Sequence, residues 1–388
     1  MPVIDVDHHL ESDVSLVVDF CKQVGGSMPH CPELKAMMFA GDLLRALPPD
    51  RRPRGEELYP QKPGAKPWGP DSAVKNPAPA AFEAAARVEW LDEWGIDQAF
   101  VNFGATNGGA GALLTEVADL QRLSSLTNDF IAERLEGHTD RLLQVAVIKD
   151  ASDVKWTVKE LARMRARGCR GFSVSTRPVN DRSLAHPSWN PIWSAATDLG
   201  MIYVMHVGFT PSNLDVGAAD SGWMLPGGMG AGGLLRFNIA EGHLASQRAL
   251  TTMVFGGVFT RHPELTVVLE ELQVGWLPSL VERLDALTEP FYVRALNEWV
   301  SELGAGDILR RNVRATPLAL MGDNALDLIR RLPEMIVFST DFPHVEGNDV
   351  IFEPGLNSLA DEVRSAFLGD NIAECFVRMG DPLPVIGA

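Results

Sequence analysis

The feature that most constrains the fold of this chain is the alternation of short apolar segments with longer segments of helical spacing. Near-continuous apolar strands that alternate with helices are typical of a parallel sheet buried on both faces. Eight such units predict an α/β fold of the (β/α)8, or TIM-barrel, type. The segment 311–316 contains two arginines and is assigned as a strand because a barrel of eight requires it. The predicted strands span residues 2–7, 98–103, 142–148, 169–175, 201–206, 265–271, 311–316 and 334–341.

Residues 20–82 interrupt this repeat after the first predicted strand. The segment is rich in proline and glycine and has little periodicity, which leaves a disordered linker as the alternative, but Tyr59 and Trp68 favour packing. We therefore expect one TIM-barrel domain over residues 1–388, with 20–82 as a Pro-rich insertion that covers the barrel mouth. A second glycine-rich stretch, 221–237, lacks the strand–turn–helix context of a phosphate-binding loop and is interpreted as a lid beside the pocket.

The composition narrows the class of partner. The formal charge is −17, with 51 acidic against 34 basic residues, and such a surface repels phosphate backbones. No apolar run reaches the roughly 18 residues that a membrane helix needs, so we expect neither a nucleic acid nor a membrane as partner. The N-terminus has neither the basic start nor the apolar core of a secretory signal. Cys21, Cys31, Cys169 and Cys375 form no C-x-x-C pair, as is typical of reduced thiols in a cytoplasmic protein.

The first predicted strand is unusually polar. Side chains alternate across a strand, so one face of an extended segment here would carry Asp5, Asp7, His9 and Glu11. A buried polar face must find partners or a metal ion, because an unpaired buried charge is expensive. Asp7 and His9 are the natural metal pair, while His8 points the other way and is expected to be structural.

Three further predicted strands end in imidazole or carboxylate side chains. The carboxyl ends of the strands of a (β/α)8 barrel meet at one mouth, where active sites lie. Repulsion between two carboxylates at about 4 Å costs roughly 4 kcal/mol at an effective dielectric of about 20, and divalent cations would relieve it. The sequence therefore predicts a metal site there. The residues at or after these strand ends are His206, Glu270, Glu271, Asp341, His344 and Glu346.

Other residues are candidates for contact with substrate. His186 follows the fourth predicted strand at the mouth, and His243 follows the glycine-rich lid. Trp223 and Phe237 would supply apolar surface to an enclosed pocket, although ordinary packing is the alternative for both.

Four motifs together resemble the amidohydrolase-2 branch of the amidohydrolase superfamily. That branch contains TIM-barrel decarboxylases, hydratases and hydrolases related to aminocarboxymuconate-semialdehyde decarboxylase. The resemblance covers residues 1–10 and about 140–345. The motifs are "IDVDHH", "MHVG", "RHPELTVVLEELQVGWLPSLVERLD" and "STDFPHVEG".

The resemblance implies metal-binding roles for particular residues. Asp7 and His9 stand where the family has the two histidines of its first-strand H-x-H pattern, His206 matches the fifth-strand ligand, and Asp341 matches the eighth-strand aspartate. The sequence departs from the pattern at Glu271, where the decarboxylases have a histidine. This departure weakens the decarboxylase interpretation and adds a carboxylate ligand of the kind that non-heme iron uses to activate dioxygen.

The carboxylate-enriched site resembles that of the TIM-barrel non-heme diiron monooxygenases that hydroxylate diterpenoid acyl-CoA substrates in platensimycin and platencin biosynthesis. This resemblance implies two Fe ions that activate O2, an apolar, terpenoid-like substrate that could be CoA-linked, and an external electron donor. Glu271 and Asp341 would also be catalytic, and Glu11 and Glu346 would be ligands or would orient the imidazoles. The implied iron ligands are Asp7, His9, His206, Glu271, Asp341 and His344.

Two other interpretations stay open. The first is a mononuclear Zn- or Mn-dependent decarboxylase or hydrolase of a small carboxylic acid, in which Glu271 or a nearby histidine serves as base. The second is a non-enzymatic scaffold stabilised by metal. The sequence leaves open the substrate, the number of metal ions, which of Glu270 and Glu271 faces the site, and the oligomeric state, with a homo-oligomer among the alternatives.

Overall fold

A computed structural model describes most of the barrel. Of residues 231–242 it describes the backbone alone. The predicted insertion at 20–82 lies outside the described residues up to residue 79, and the predicted lid lies outside them up to residue 230. The described residues are 2–10, 80–103, 117–176, 182–207, 231–296, 299, 301–317, 324–343 and 354–386.

Seven parallel strands form a single curled sheet whose spatial order follows the chain from β1 to β7. Each overlaps a predicted strand, and even the doubtful segment 311–316 contains one. The prediction of an α/β barrel is therefore confirmed. The strands are β1 (Ile4–Leu10), β2 (Gln98–Phe103), β3 (Leu142–Ile148), β4 (Gly171–Val174), β5 (Ile202–His206), β6 (Val267–Glu270) and β7 (Val313–Ala315).

The eighth predicted strand, 334–341, is an extended segment that closes the barrel without a continuous ladder. Ile336 forms a parallel bridge with Ala315 of β7, and Phe342 forms one with His8 of β1. The segment therefore joins the last strand of the sheet to the first, as closure of a barrel requires.

Helices cover the outside of the sheet. The buried apolar residues form two separate clusters, one between the sheet and the helices and one inside the barrel. Within the described residues no helix combines the length and apolarity needed to cross a membrane. The helices are α1 (Ala84–Trp94), α2 (Val117–Leu135), α3 (Val154–Arg165), α4 (Asn190–Asp198), α5 (Ala231–Phe255), α6 (Val258–Arg261), α7 (Leu277–Thr288), α8 (Pro290–Leu296), α9 (Ala305–Asn312), α10 (Ala325–Arg331), α11 (Asp361–Ser365) and α12 (Asn371–Arg378).

The lower part of the barrel interior is apolar and closed. A cluster of buried strand residues at alternate positions packs there against Ile372 and Phe376 of α12. Because side chains alternate along a strand, the next inward position above this cluster is polar on several strands. Asn102 follows Phe100 in this way on β2, and His206 follows Val204 on β5. The apolar floor thus leaves the polar side chains in a layer at the mouth.

Candidate metal centre

Four buried side chains from three strands meet in this upper layer. Asp7 and His9 come from β1, His206 ends β5, and Glu271 directly follows β6. One potential ligand atom from each lies within 4.8 Å of all the others. The Nε2 atom of His206 lies 3.6 Å from Asp7 Oδ1 and 3.5 Å from Glu271 Oε2. The Nε2 atom of His9 lies 3.2 Å from Asp7 Oδ1.

Asp341 adjoins one side of this cluster. Its Oδ1 atom lies 3.2 Å from His9 Nε2, and its backbone N–H donates a hydrogen bond of 2.9 Å to the carbonyl of Asp7. Asp341 and Glu271 both have left-handed backbone, with φ of 54° and 53°. For residues other than glycine this conformation costs of order 1–3 kcal/mol and occurs preferentially at functional sites. The two carboxylates are therefore held in place at an energetic cost to the backbone.

An extra residue in β1 decides which of its side chains face the centre. Asp5 pairs with Ala99 and His8 pairs with Val101, so three steps along β1 match two along β2. Because of this bulge the consecutive residues Val6 and Asp7 both face the barrel interior: Val6 belongs to the apolar floor, and Asp7 belongs to the metal cluster. The expectation that Asp5 shares a face with Asp7 was therefore wrong: Asp5 contacts His8, with Oδ2 at 2.6 Å from Nε2.

Hydrogen bonds to backbone carbonyls set the tautomers of both histidines. The Nδ1 atom of His206 lies 2.6 Å from the carbonyl oxygen of Val207, and Nδ1 of His9 lies 3.4 Å from that of Phe103. A carbonyl oxygen can only accept, so each Nδ1 carries the proton that it donates. The Nε2 atoms of the neutral rings then carry lone pairs directed into the cluster, as in metal-binding histidines.

The charges in the cluster depend on one another. Burial alone would raise the pKa of Asp7, but the neighbouring His206 and His9 outweigh it and hold that pKa well below its ordinary value. Burial would lower the pKa of His206, but the charges of Glu271 and Asp7 hold it well above its ordinary value. In the absence of a metal ion, protons on imidazole therefore compensate the carboxylates.

The donor set fits a single divalent cation. Ligand atoms placed about 2.1 Å from one tetrahedral ion lie roughly 3.4 Å from each other. The distances between His9, Asp7 and His206 and from His206 to Glu271 are 3.2–3.6 Å, and all four donor atoms lie within 4.8 Å of one another. Asp7 Oδ2 is buried and has no hydrogen-bond partner among the described residues. Two imidazoles and two carboxylates suit Mn²⁺, Zn²⁺ or iron.

Sequence reasoning missed Asn102, which links two acidic side chains at the centre. Its Nδ2 donates to Asp7 Oδ1 at 3.1 Å and to Glu270 Oε2 at 2.9 Å. Burial, followed by the nearby charge of Asp7, raises the pKa of Glu270 well above its ordinary value. Both Glu270 and Glu271 are thus at the centre, with Glu271 beside the histidines. The available signal was an asparagine near the end of the apolar strand "QAFVNF".

The remaining predicted site residues have other locations. Glu11, Trp223, His344 and Glu346 lie outside the described residues, as does the side chain of Phe237.

Neither described pocket histidine belongs to the four-residue cluster. His186 is exposed, caps a short 3-10 helix, and lies 2.8 Å from Ser188 Oγ. His243 is half-buried on α5 and stacks on Trp276, with ring centroids 6.5 Å apart.

Solved structures with a similar fold include an amidohydrolase and several decarboxylases, some of them with bound manganese. An amidohydrolase from Mycobacterium avium subsp. paratuberculosis superposes with a TM-score of 0.68 at 21% identity, covering 97% of each chain. The 5-carboxyvanillate decarboxylase LigW from Sphingomonas paucimobilis gives 0.62 at 18% identity, covering 97% of this chain and 99% of that one. A dihydroxybenzoic acid decarboxylase from Polaromonas sp. JS666 with bound manganese and 2-nitroresorcinol gives 0.59 at 18%, covering 97% of each.

The prediction of a diiron monooxygenase was wrong. Structures similar to this protein include decarboxylases with bound manganese, and the four donor atoms lie within 4.8 Å of one another, an arrangement suited to one ion. The carboxylate of Glu271 was interpreted as a ligand of the kind that non-heme iron uses, but in the structure it joins Asp7, His9 and His206 in one cluster of four donors. The predictions of two Fe ions with O2, a terpenoid or acyl-CoA substrate and an electron donor depended on that interpretation and are unsupported.

The sequence itself supports the family assignment over nearly its whole length. A search of curated proteins found no match. The family model described as Amidohydrolase, in contrast, matches residues 4–377, a range that includes every proposed metal ligand of the described barrel. The chain therefore belongs to the amidohydrolase family.

Proposed function

We propose that this protein is a metal-dependent decarboxylase of small carboxylic acids, with hydroxylated aromatic acids as the substrate class. The observation that carries the proposal is the convergence of Asp7, His9, His206 and Glu271 beside Asp341 at the mouth of an amidohydrolase barrel. Support for the substrate class comes from the structural relatives that decarboxylate 5-carboxyvanillate and dihydroxybenzoates.

The four clustered side chains would hold one Mn²⁺, with Zn²⁺ as the alternative. The bound ion would supply positive charge that polarises the carboxylate and adjacent hydroxyl of the substrate. The backbone carbonyls of Val207 and Phe103 orient the two imidazoles toward it, as described for their tautomers. Burial of His9 to 2% exposure and of His206 to 7% keeps water away and strengthens the electrostatic interactions of the site.

Asp341 is the proposed proton donor. In decarboxylation the bond between carbon and carboxylate breaks, its electron pair stays on the carbon, CO2 leaves, and a proton must reach that carbon. Asp341 lies at the side of the cluster, 3.2 Å from His9, with its position set by the hydrogen bond from its N–H to Asp7. A carboxyl group placed in this way can deliver the proton, and such general acid catalysis contributes about 10²–10⁴-fold.

The test is a decarboxylation assay on protein loaded with Mn²⁺. The substrates would be 2,6-dihydroxybenzoate, 5-carboxyvanillate and other hydroxybenzoates, with CO2 release as the readout. A reaction run in D2O should place one deuterium on the carbon that lost the carboxylate. Asp341→Asn should lower kcat by about 10²-fold or more while Mn²⁺ stays bound. Asp361→Asn, on a side chain that is 86% exposed, is the control and should leave kcat unchanged.

A hydrolase is the second candidate, and the placement of Glu271 favours it. Its carboxylate lies 3.5 Å from His206 Nε2, where it could take a proton from an attacking water molecule. Release of an amine or alcohol from an amide or ester, with ¹⁸O from water in the acid product and no CO2, would establish this candidate and exclude the decarboxylase. A cytoplasmic location and a homo-oligomeric state stay predictions.

A further inference from the structure

A buried arginine lies behind the metal centre and takes no part in the proposed reaction. Arg87 belongs to α1 and is 1% exposed. We infer that Arg87 is a positioning residue, which holds the ends of β1 and of the eighth extended segment in the geometry that the metal ion requires. A buried guanidinium is costly unless its donors are satisfied, so its hydrogen bonds indicate what it does.

The guanidinium binds the backbone of a proposed metal ligand. Nη2 donates to the carbonyl oxygen of His9 at 2.8 Å, and Nε donates to that of Ala80 at 2.7 Å. One side chain therefore joins the end of β1 to the residues that lead into α1. Because the contact is to the main chain of His9, it fixes the backbone from which the imidazole extends, and the guanidinium does not enter the metal site.

A second set of hydrogen bonds connects Arg87 to the eighth segment on the other side of the centre. Nη1 of Arg87 lies 3.0 Å from Nδ1 of His8, and arginine can only donate, so that nitrogen accepts. The proton of the neutral ring is then on Nε2, which donates to Asp5 Oδ2 at 2.6 Å.

Asp5 completes the connection to the eighth segment. Its Oδ1 accepts a hydrogen bond of 3.0 Å from the backbone N–H of Thr340, the residue before Asp341. On the other side of Asp341, the ring of Phe342 lies under the guanidinium, 4.2 Å from its carbon atom to the ring centroid. Contacts from Arg87 thus reach both neighbours of Asp341, one directly and one through His8 and Asp5.

Lysine could not replace these contacts. The planar guanidinium presents donors in a fixed fork that reaches His8, His9 and Ala80 at once, whereas an ammonium is a single point on a flexible stem. Arg87→Lys keeps the buried charge and removes the fork. If this variant binds Mn²⁺ more weakly, the cause is the loss of the hydrogen bonds that position the ligands and not the loss of a positive charge near the centre.

Arg170 offers a matched control at the opposite end of the barrel. It immediately precedes β4, is 5% exposed, and lies over the ring of Phe376 at 4.8 Å. Its guanidinium pairs with Asp381 at 3.0 Å. Arg170→Lys thus perturbs a buried guanidinium stacked on an aromatic ring, but at the strand ends that carry no metal ligand.

The experiment measures Mn²⁺ binding, so it depends on the metal site of the proposed function and not on its reaction. Arg87→Lys, Arg87→Gln, Arg170→Lys and the unaltered protein would each be freed of metal and titrated with Mn²⁺. Electron paramagnetic resonance would report free ion and the spectrum of bound ion, and thermal unfolding of the metal-free form would report stability. If one Arg87 variant fails to fold, the other carries the test.

The two Arg87 variants should bind Mn²⁺ about 10–100-fold more weakly and with an altered spectrum, as for other residues that orient ligands. Arg170→Lys should keep the original affinity and spectrum even if its unfolding temperature falls as far. Original affinity and spectrum in a folded Arg87 variant would overturn the inference. If the unaltered protein binds Mn²⁺ but decarboxylates nothing, the proposed function fails while the comparison of variants still decides the role of Arg87.

Discussion

The Nε2 atoms of His9 and His206 lie 3.2 Å apart, with the two rings nearly perpendicular at 80°. Both rings use Nδ1 to donate to a backbone carbonyl, so two lone pairs would face each other if both rings were neutral. A proton or a metal ion between them removes this conflict. The relationship makes the centre sensitive both to metal and to pH.

Metal should stabilise the fold. A ligand that binds the native state at a concentration 100 times its Kd adds about 2.7 kcal/mol to the free energy of unfolding. Thermal unfolding with and without Mn²⁺ should therefore show a higher Tm with the ion, and EDTA should reverse it. His206→Ala should abolish most of the increase. An equal increase in the variant would show that Mn²⁺ binds elsewhere.

The metal-free protein should lose stability as pH rises above neutral. The pKa of His206 is raised in the native state, since Glu271 and Asp7 outweigh the effect of burial. A raised native pKa contributes stability that is complete below the unfolded value of about 6.5 and is lost as pH rises through the native value. The free energy of unfolding, measured with urea at several pH values, should fall across this window.

His206→Asn is the control for this pH dependence and should flatten it. Mn²⁺ requires the neutral ring, so its affinity should rise over the same window in which metal-free stability falls. A metal-free protein that becomes more stable between neutral and alkaline pH would contradict the assignment of charge to His206.

Removal of the Asn102 amide should damage the metal site in particular. In Asn102→Ala both Asp7 and Glu270 lose a hydrogen bond inside the barrel, which should cost about 1–3 kcal/mol of stability. Mn²⁺ affinity should fall as well, because Asp7 is no longer oriented.

Asn128→Ala is the matched control for this variant. Asn128 is also buried, and its amide donates to the carbonyl of Val147 and to Glu160, away from the clustered ligands. It should lose stability but keep its Mn²⁺ affinity. Equal loss of affinity in both variants would mean that Asn102 acts only through general stability.

The thiol of Cys169 should be unreactive in the native protein. Burial raises its pKa to about 12, and its Sγ donates to the carbonyl of Gln144 at 3.0 Å. Iodoacetamide at pH 8, followed by digestion and mass spectrometry, should leave the Cys169 peptide unlabelled until denaturant is added. In the unfolded chain the thiol ionises near pH 9, whereas in the native state it stays protonated up to about pH 12. The free energy of unfolding should therefore decrease between these two pH values. Rapid labelling of the native protein would contradict the burial.

The fold could be predicted from the sequence because strand length, apolar runs and helical spacing all favoured the same barrel. The convergence of Asp7, His206 and Glu271 followed from the rule that parallel strands share one carboxyl edge. The bulge in β1 could not be predicted, since alternation alone places Asp5 with Asp7 and no local residue type marks the extra step.

Two other features could not be predicted from the sequence. Arg87 is one of four charged residues on α1, and only tertiary contacts bring it to His8 and His9. The reaction was misassigned for a different reason. Imidazoles and carboxylates serve both iron oxygenases and manganese decarboxylases, so Glu271 as a residue type cannot decide between them.

Closure of the barrel also has a consequence for when the centre can exist. The backbone N–H of Thr340 binds Asp5 across 335 residues of sequence, and Asp341 then meets His9. During synthesis all four proposed ligands have emerged soon after residue 271, but the contacts of Asp5 and His9 with Thr340 and Asp341 must wait until the eighth segment has left the ribosome. A nascent fragment that ends between Glu271 and Thr340 would hold the four ligands without the contacts that fix the end of β1, so ordered cation uptake should coincide with closure of the barrel rather than nucleate its early folding.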